Sequence, residues 1–422
     1  MQKPIDPELE NKIKEELEST NKSHVDIGLE YNISSGVISK IKRKYSIQRP
    51  VAPRIITKIK SIDPTDEKIL KLERKVISLK DERNNLKRAY EAAQRKNGIF
   101  QALAEEIKSV VTPIEPLPTA PKIRYSGKRI QESLVMHLSD EHATDVVLPH
   151  QVGGLENYNF QVALKRAETY VDSVIKFTQR ILKPYEFETL YILANGDHNS
   201  GEIHNAVDNS EYRNIFRNCL ATAQMQALMI RDLAPYFKFI KVIYTPGNHG
   251  RKTNKKDYYG PRDNWDYLIA ETAFAYCRDL VNVEFLIPDS FSINLEIEGH
   301  GFHVAHGDDI KSWAGIPWYG IERKTRRLSA LNCSSDKRVD YFCFGHFHNA
   351  AMQAALRGET IINGAWVATS PYVYNSLSTF TEPTQLIHGV HKDFGVSWRL
   401  HVKLRTANEA AGPTRYNVIL AK

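Results

Sequence analysis

TPGNHGRKT, residues 245–253, follows the apolar run KVIY and decides how the larger part of the chain is read. Gly-Asn-His after a strand, followed by a Gly and two bases, is either an ordinary tight turn or a mount that holds an amide and an imidazole up to a phosphate. Other strand ends separate the two readings. LVMHLSDEH (134–142), TLYILANGDH (189–198), FHVAHGDD (302–309) and YFCFGHFH (341–348) also pass from apolar residues into Asp or His. Between the first strands lie NFQVALKRAETYVDSVIKFTQRIL and EYRNIFRNCLATAQMQALMIRDLA, whose apolar residues recur at helical spacing. Strands alternating with helices predict an α/β domain with ligands at the carboxyl ends of the strands.

The chain has 422 residues, 42% of them hydrophobic, which predicts two or three domains and a sizeable core. A net charge of +7 permits an anionic partner without demanding one. Cys219, Cys277, Cys333 and Cys343 have no C-x-x-C spacing, which argues against a zinc knuckle or a disulfide framework and for a reducing, cytoplasmic setting. No apolar signal core or membrane-length apolar run is found, so neither export nor a membrane anchor is expected.

Residues 7–46 read as three short helices, with NISSG between the last two. Asn32 can stop one helix and Ser34 or Ser35 can cap the next. This layout resembles the helix-turn-helix of resolvases and transposases, whose second helix enters the major groove. Val37, Ile38 and Ile41 would then pack inward, while Ser35, Ser39, Lys40, Lys42, Arg43 and Lys44 would meet DNA. From Tyr31 to Ile62 there are eight Lys or Arg and no acid, the footprint expected for phosphate contacts. The alternative is a small helical cap with a solvated basic face.

Residues 66–104 carry a heptad with Ile69, Val76, Arg83, Tyr90 and Asn97 at a, and Leu72, Leu79, Leu86, Ala93 and Phe100 at d. A coiled coil follows, and a homodimer would present two DNA-binding units. Pro113, Pro116, Pro118 and Pro121 then mark a spacer. The expected division is 1–50 helix-turn-helix, 51–107 basic linker and coiled coil, 108–128 proline-rich linker and 129–422 the large domain.

In that domain Asp140-Glu141-His142, Gly196-Asp197, Gly247-Asn248-His249, His306 and Gly345-His346-Phe347-His348 follow one another. Their order resembles the calcineurin-like metallophosphoesterases over roughly residues 130–405. The resemblance implies a two-sheet α/β sandwich flanked by helices, with TIINGAWVA and GVSWRLHVKL closing the second sheet. It also implies two divalent ions about 3.5–4 Å apart, manganese first and iron or zinc as alternatives. By that likeness Asp197 bridges the ions, Asp140, His142 and His348 complete one site, and Asn248, His306 and His346 complete the other. His249 is the implied general acid or transition-state stabiliser. His137, His198, His204 and His303 fall off the pattern.

Many members of the family follow this His with Asp or Glu, where this chain has Gly250. Asp257 or Asp263 replaces that acid, or His249 acts unassisted, or catalysis is impaired. Arg251 and Lys252 come next and are candidate phosphate contacts, with Lys255 and Lys256 close behind; the loop could equally be a solvated turn. Tyr258, Tyr259 and Trp265 could stack on bases or pack on a helix. The function expected is a two-metal phosphodiesterase cutting DNA, delivered by a dimeric N-terminal arm in a bacterial or phage-infected cytosol. A phosphomonoesterase or small-nucleotide phosphodiesterase tethered to DNA is the first alternative, and a non-catalytic DNA-binding protein the second.

Overall fold

The computed structural model describes residues 6–19, 23–31, 33–45, 47, 64–116, 129–253, 260–311, 317–333, 338–406 and 413–420. The chain divides into two compact units, Met1–Leu86 and Lys87–Lys422.

In the first unit, α1 (Pro7–Ser19), α2 (His24–Glu30) and α3 (Ser35–Lys44) close around one apolar cluster. Ile13 and Leu17 lie four apart on α1, and Ile38 and Ile41 three apart on α3, so each pair shares a helix face. With Ile27 and Ile47 they form the buried core, and Val37 packs at its edge. Lys40 and Arg43 are left exposed on α3, Lys42 is half-buried, and exposed Lys44 pairs with Glu10 at 2.7 Å. Ser39 differs from the outward hydroxyl expected of it: it is half-buried, its Oγ 3.1 Å from His24 Nδ1. Ser34 holds the N-cap position of α3 without a side-chain capping bond. The side chain of Ser35, and all of Asn32, Arg49, Arg54, Lys58 and Lys60, lie outside the described residues.

α4 (Pro64–Val110) is one helix of 47 residues, and the boundary between the units falls within it. Ile69, Leu72, Val76, Leu79 and Leu86, the first apolar positions of the heptad, are exposed. The side chains of Tyr90, Ala93, Asn97 and Phe100 lie outside the described residues. The helix runs past the linker boundary expected at 107, because Ala104, Ile107 and Val111 are buried, the last two in the main core of the second unit. Ile114 continues that contact, its N–H donating to the Tyr276 carbonyl at 2.7 Å.

The second unit has two sheets. In the first, β1 (Ile130–Leu138), β2 (Tyr185–Ala194), β3 (Phe239–Tyr244) and β4 (Val283–Leu286) run parallel, and β10 (Thr384–His391) and β11 (Gly395–Lys403) extend the β1 edge antiparallel. The second sheet has the order β5 (Ser292–Ile297), β6 (His300–Ala305), β7 (Tyr341–Phe344), β9 (Glu359–Ile362), β8 (Ala351–Ala354). Val135, Leu193 and Ile243 of the first sheet meet Phe302, Val304, Cys343 and Ile361 of the second in one buried cluster. α5 (Phe160–Lys176), α6 (Ile215–Leu233) and α7 (Trp265–Cys277) share the main core with the first sheet, and α8 (Trp318–Cys333) lays Ile321 and Leu328 on the second. Central strands covered on both faces read as continuous apolar runs, which is why LYILA and KVIY carry so little alternation.

One expectation about closure is corrected. TIINGAWVA supplies β9 to the second sheet, but GVSWRLHVKL is β11 and lies in the first. A tight reversal after His391 folds β11 back on β10, and β10 pairs with β1, so the hairpin extends the first sheet at β1. Along β11, Val396 and Val402 are buried while Trp398 and Leu400 are half-buried against the main core. Among the described residues no helix is long and apolar enough to cross a membrane.

Candidate metal centre

The pairings of Leu138 with Ala194, Ala194 with Tyr244, and Val304 with Cys343 bring the ends of β1, β2 and β3, and of β6 and β7, level within each sheet. The loops that follow take sharp turns. Asp140, His142, Asp197, His346 and His348 are five of the eight non-glycine residues with positive φ among the described residues. That backbone costs of order 1–3 kcal/mol per residue and persists where the surroundings over-determine it, which is typical of built sites.

The turns collect the polar atoms into linked groups. Ligand atoms of Asp140, His142 and His348 lie within 4.8 Å of one another, as do those of Asp197, His306 and His346. His142, Asp197 and His249 form a third such group that joins the two. Asn248 Oδ1 is 3.1 Å from His306 Nε2. These clusters could hold metal ions, and the structure thus brings together all seven residues expected to be ligands.

Hydrogen bonds behind the rings decide which nitrogens face inward. His306 Nδ1 is 2.7 Å from the Asn195 carbonyl, which can only accept, so Nδ1 carries the proton and Nε2 of the neutral ring presents a lone pair. That Nε2 meets Asp197 Oδ2 at 2.9 Å and Asn248 Oδ1 at 3.1 Å. Three converging acceptors require a positive charge among them, either a cation or a proton on the ring. On the other side Ser200 Oγ donates to Asp145 Oδ2 at 2.6 Å and therefore accepts from His142 Nδ1 at 2.9 Å. This leaves His142 Nε2 as a lone pair, 3.3 Å from His348 Nε2. Mixed imidazole and oxygen donors suit manganese, iron or zinc.

Burial and neighbouring charge act on each ring separately. Burial pulls His142 down to about 3 and keeps it neutral, the state a metal-ligating ring needs. Burial also opposes charge on His306, but the Asp197 carboxylate outweighs it and raises the ring to about 10. Asp197 itself is held well below the usual carboxylate range: its burial is overcome by the charges of His306 and His249. His346 falls to about 4 through burial and the neighbouring His306 charge.

Several supporting residues escaped the sequence reading. Asp266, in the first turn of α7, accepts from the backbone N–H of Asp197 at 3.0 Å and of Gly247 at 2.8 Å, tying two of the loops together. Ser139 donates to Asp140 Oδ2 at 2.6 Å, and the His346 N–H reaches Asp140 Oδ1 at 2.9 Å. Asp145 is half-buried, and that burial raises its carboxyl to about 6 against the Ser200 hydrogen bonds. A small capping signal, Asn264-x-Asp266 ahead of an apolar helix, is the trace these residues left in the sequence.

Thr245–Thr253 brings Asn248 and His249 to the His and Asp cluster. Gly247 is needed less for its turn than for closeness: a Cβ there would lie 2.2 Å from Asp197 Oδ1. The His249 N–H donates to Asp197 Oδ1 at 2.7 Å, and its ring stands edge-on to His142 with centroids 4.8 Å apart. The buried His249 Nδ1 has no hydrogen-bond partner among the described residues. A Cβ on Gly250 would sit 2.0 Å from Asn264 Oδ1, so an acidic side chain at this position has no room here. Asn264 occupies the space, capping α7 through the Asp266 N–H at 2.8 Å and donating to the Gly247 carbonyl at 3.0 Å. Of the carboxylates considered as replacements, Asp263 pairs with Lys252, and Asp257 lies outside the described residues.

The two bases expected to touch phosphate are bound into their own loop. Arg251 Nε donates to the Asn248 carbonyl at 2.9 Å, and Lys252 meets Asp263. Trp265 packs rather than offering a stacking face: it is buried, edge-on to Phe216 at 5.3 Å, with Nε1 3.2 Å from Glu202 Oε2. Lys255, Lys256, Tyr258 and Tyr259, and the side chain of His204, lie outside the described residues. His137 and His388 share a buried contact of 3.3 Å, His198 is buried on Glu141, and His303 meets Asn294 Oδ1 at 2.7 Å.

No family model matches the sequence, and no curated protein matches it. Among solved structures, an archaeal phosphodiesterase aligns at 13% identity over 64% of this chain and 99% of its own, with a TM-score of 0.30. A hypothetical protein from Pyrococcus horikoshii OT3 aligns at 10% identity over 67% and 91%, with a TM-score of 0.35. Vps29 from Entamoeba histolytica complexed with zinc aligns at 12% identity over 64% and 99%, with a TM-score of 0.25. Likeness of this extent leaves the function to be argued from the site itself.

Proposed function

We propose that the chain is a two-metal phosphodiesterase that hydrolyses DNA and is brought to it by its N-terminal helices. The observation that carries this reading is the linkage of the clusters through shared residues, Asp197 between two groups and His142 between two, in a centre built from five strand ends. Asp140, His142 and His348 would hold one ion, Asn248, His306 and His346 the other, and Asp197 both. Two ions so held would act as Lewis acids on a phosphate diester. Water attacks phosphorus, the bond from phosphorus to the leaving oxygen breaks, and His249 gives a proton to that oxygen. A half-buried ring anchored through its backbone N–H to Asp197 supports that role, since it is fixed relative to the same carboxylate that fixes the ions. Asp266 keeps the loops of Asp197 and Gly247 in register, so the mount does not depend on an acid at 250.

DNA as substrate is supported by Lys40 and Arg43, exposed on α3 of a closed three-helix unit that would act as a helix-turn-helix. Dimerisation is supported by the exposed apolar heptad positions of α4, which a second copy would cover as a coiled coil. Labelled single-stranded and duplex DNA, incubated with manganese and the full chain beside Asp197→Asn, tests the reading. Metal-dependent cutting lost in the variant is the expected result. Hydrolysis of a phosphomonoester without cutting of any DNA would replace it with the phosphomonoesterase alternative, and no hydrolysis at all with the non-catalytic one.

A further inference from the structure

We propose that a basic cleft beside the metal centre binds backbone phosphates of the nucleic-acid strand whose scissile phosphate the centre holds; the inference rests on the phosphodiesterase reading above. The cleft has a volume of about 380 Å³, and Lys311, Arg323, Lys324 and Arg327 line it against one acid, Asp309. That volume is within the range of small-ligand sites, and four bases to one acid select an anion.

Its construction ties it to the metal-facing loops. Asp309, Ile310 and Lys311 follow His306 within five residues along the chain, and the Ile310 N–H closes a turn onto the Gly307 carbonyl at 3.0 Å. The other wall is α8, which buries Ile321, Thr325 and Ser329 on one face. Its opposite face therefore carries Arg323 and Arg327 into solvent, four apart and in line. Gly320 lets α8 approach that loop, since a Cβ there would lie 2.0 Å from the Lys311 carbonyl oxygen. Phe347, between His346 and His348, packs in the same apolar cluster as Ile310, Ile321 and Leu328. Cleft and centre thus share a wall. Lys324 is committed to Asp309, whereas Lys311, Arg323 and Arg327 make no ion pair among the described residues. Charged groups held out on a rigid helix without an internal partner suit a phosphate chain, which binds through charge and regardless of sequence.

The test is the affinity of a short single-stranded oligonucleotide, read by fluorescence anisotropy in metal-free buffer across a salt series. Both proteins are the full chain carrying Lys40→Ala and Arg43→Ala, which removes the exposed α3 bases equally from each. Adding Arg323→Glu and Arg327→Glu is expected to weaken binding about tenfold or more, and to flatten the slope of log affinity on log salt by about 1.4, for two lost phosphate contacts. Arg323→Gln with Arg327→Gln should flatten the slope equally at a smaller loss of affinity. Unchanged affinity and slope in the Glu pair, or an unchanged slope in the Gln pair, would overturn the proposal. Turnover of bis(p-nitrophenyl) phosphate by the wild type reads the underlying activity separately. Loss of affinity with no turnover removes the phosphodiesterase and keeps the cleft, while turnover with no loss of affinity does the reverse.

Discussion

The two halves of the centre hold their histidines by different means. His306 is aimed by a backbone carbonyl, that of Asn195, and Asp197 beside it is tied to the His249 N–H. His142 is aimed by side chains alone, through Ser200 to Asp145. Backbone anchors survive any substitution that leaves the loop intact, whereas a side-chain relay can be cut at a single residue. The half around His142 should therefore be the part of the site that mutation can tune, and the half around Asp197 the part that either stands or fails.

Asp197→Asn makes the largest break. It removes the carboxylate common to both halves, and diester hydrolysis should fall by about 1,000-fold or more, as expected for losing several kcal/mol of metal-borne stabilisation. Calorimetric metal titration of the same variant should register loss of at least one ion; full turnover with full metal content would refute the bridging role. His249→Gln sits at the junction of the halves. It should lower kcat by about 100- to 10,000-fold while leaving metal content unchanged, and the loss should shrink with substrates whose leaving group needs no proton. A variant that instead loses metal would make His249 a ligand.

Asp145→Asn and Ser200→Ala each cut the relay behind His142. Each should weaken metal affinity or activity about 10- to 100-fold, the usual effect of removing a partner behind a ligating ring. Equal loss from both halves, followed by metal titration, would show that the relay serves the whole loop rather than His142. In the metal-free protein His306 and His142 also titrate in opposite directions. His306 is raised to about 10, so its contribution is complete below the unfolded value near 6.5 and is lost as pH rises through about 10. His142 is lowered to about 3, so stability is lost as pH falls below about 6.5 toward that value. Melting temperature against pH should peak between these limits, and adding manganese should flatten the alkaline limb. The smallest effect expected is from Gly250→Asp, which forces a side chain onto Asn264 and should cost about 1–3 kcal/mol in thermal or denaturant unfolding.

What the sequence revealed of the site is what lies on single strand ends. Asp140, His142, Asp197, Asn248, His306, His346 and His348 were readable because each belongs to a short motif behind an apolar run, and the alternation of those runs with helices carried the sandwich. Asp145, Ser200 and Asp266 were not, since their meaning comes from segments that folding brings together. The same holds for Gly250, whose neighbour Asn264 is fourteen residues away in the chain. The E-R-K-T-R-R run of α8 was not singled out, since nothing in the sequence places it against the loop that follows His306. β11 was assigned to the wrong sheet because alternation marks a half-buried strand without saying which strand it pairs with.

The most direct measurement is the number of manganese ions bound per chain by the full-length, metal-stripped protein, by calorimetry with an independent elemental assay. Two are expected in the wild type, and one in Asp145→Asn at concentrations that fill only the tighter site. A single ion in the wild type, or none, would contradict a two-ion centre across the five strand ends.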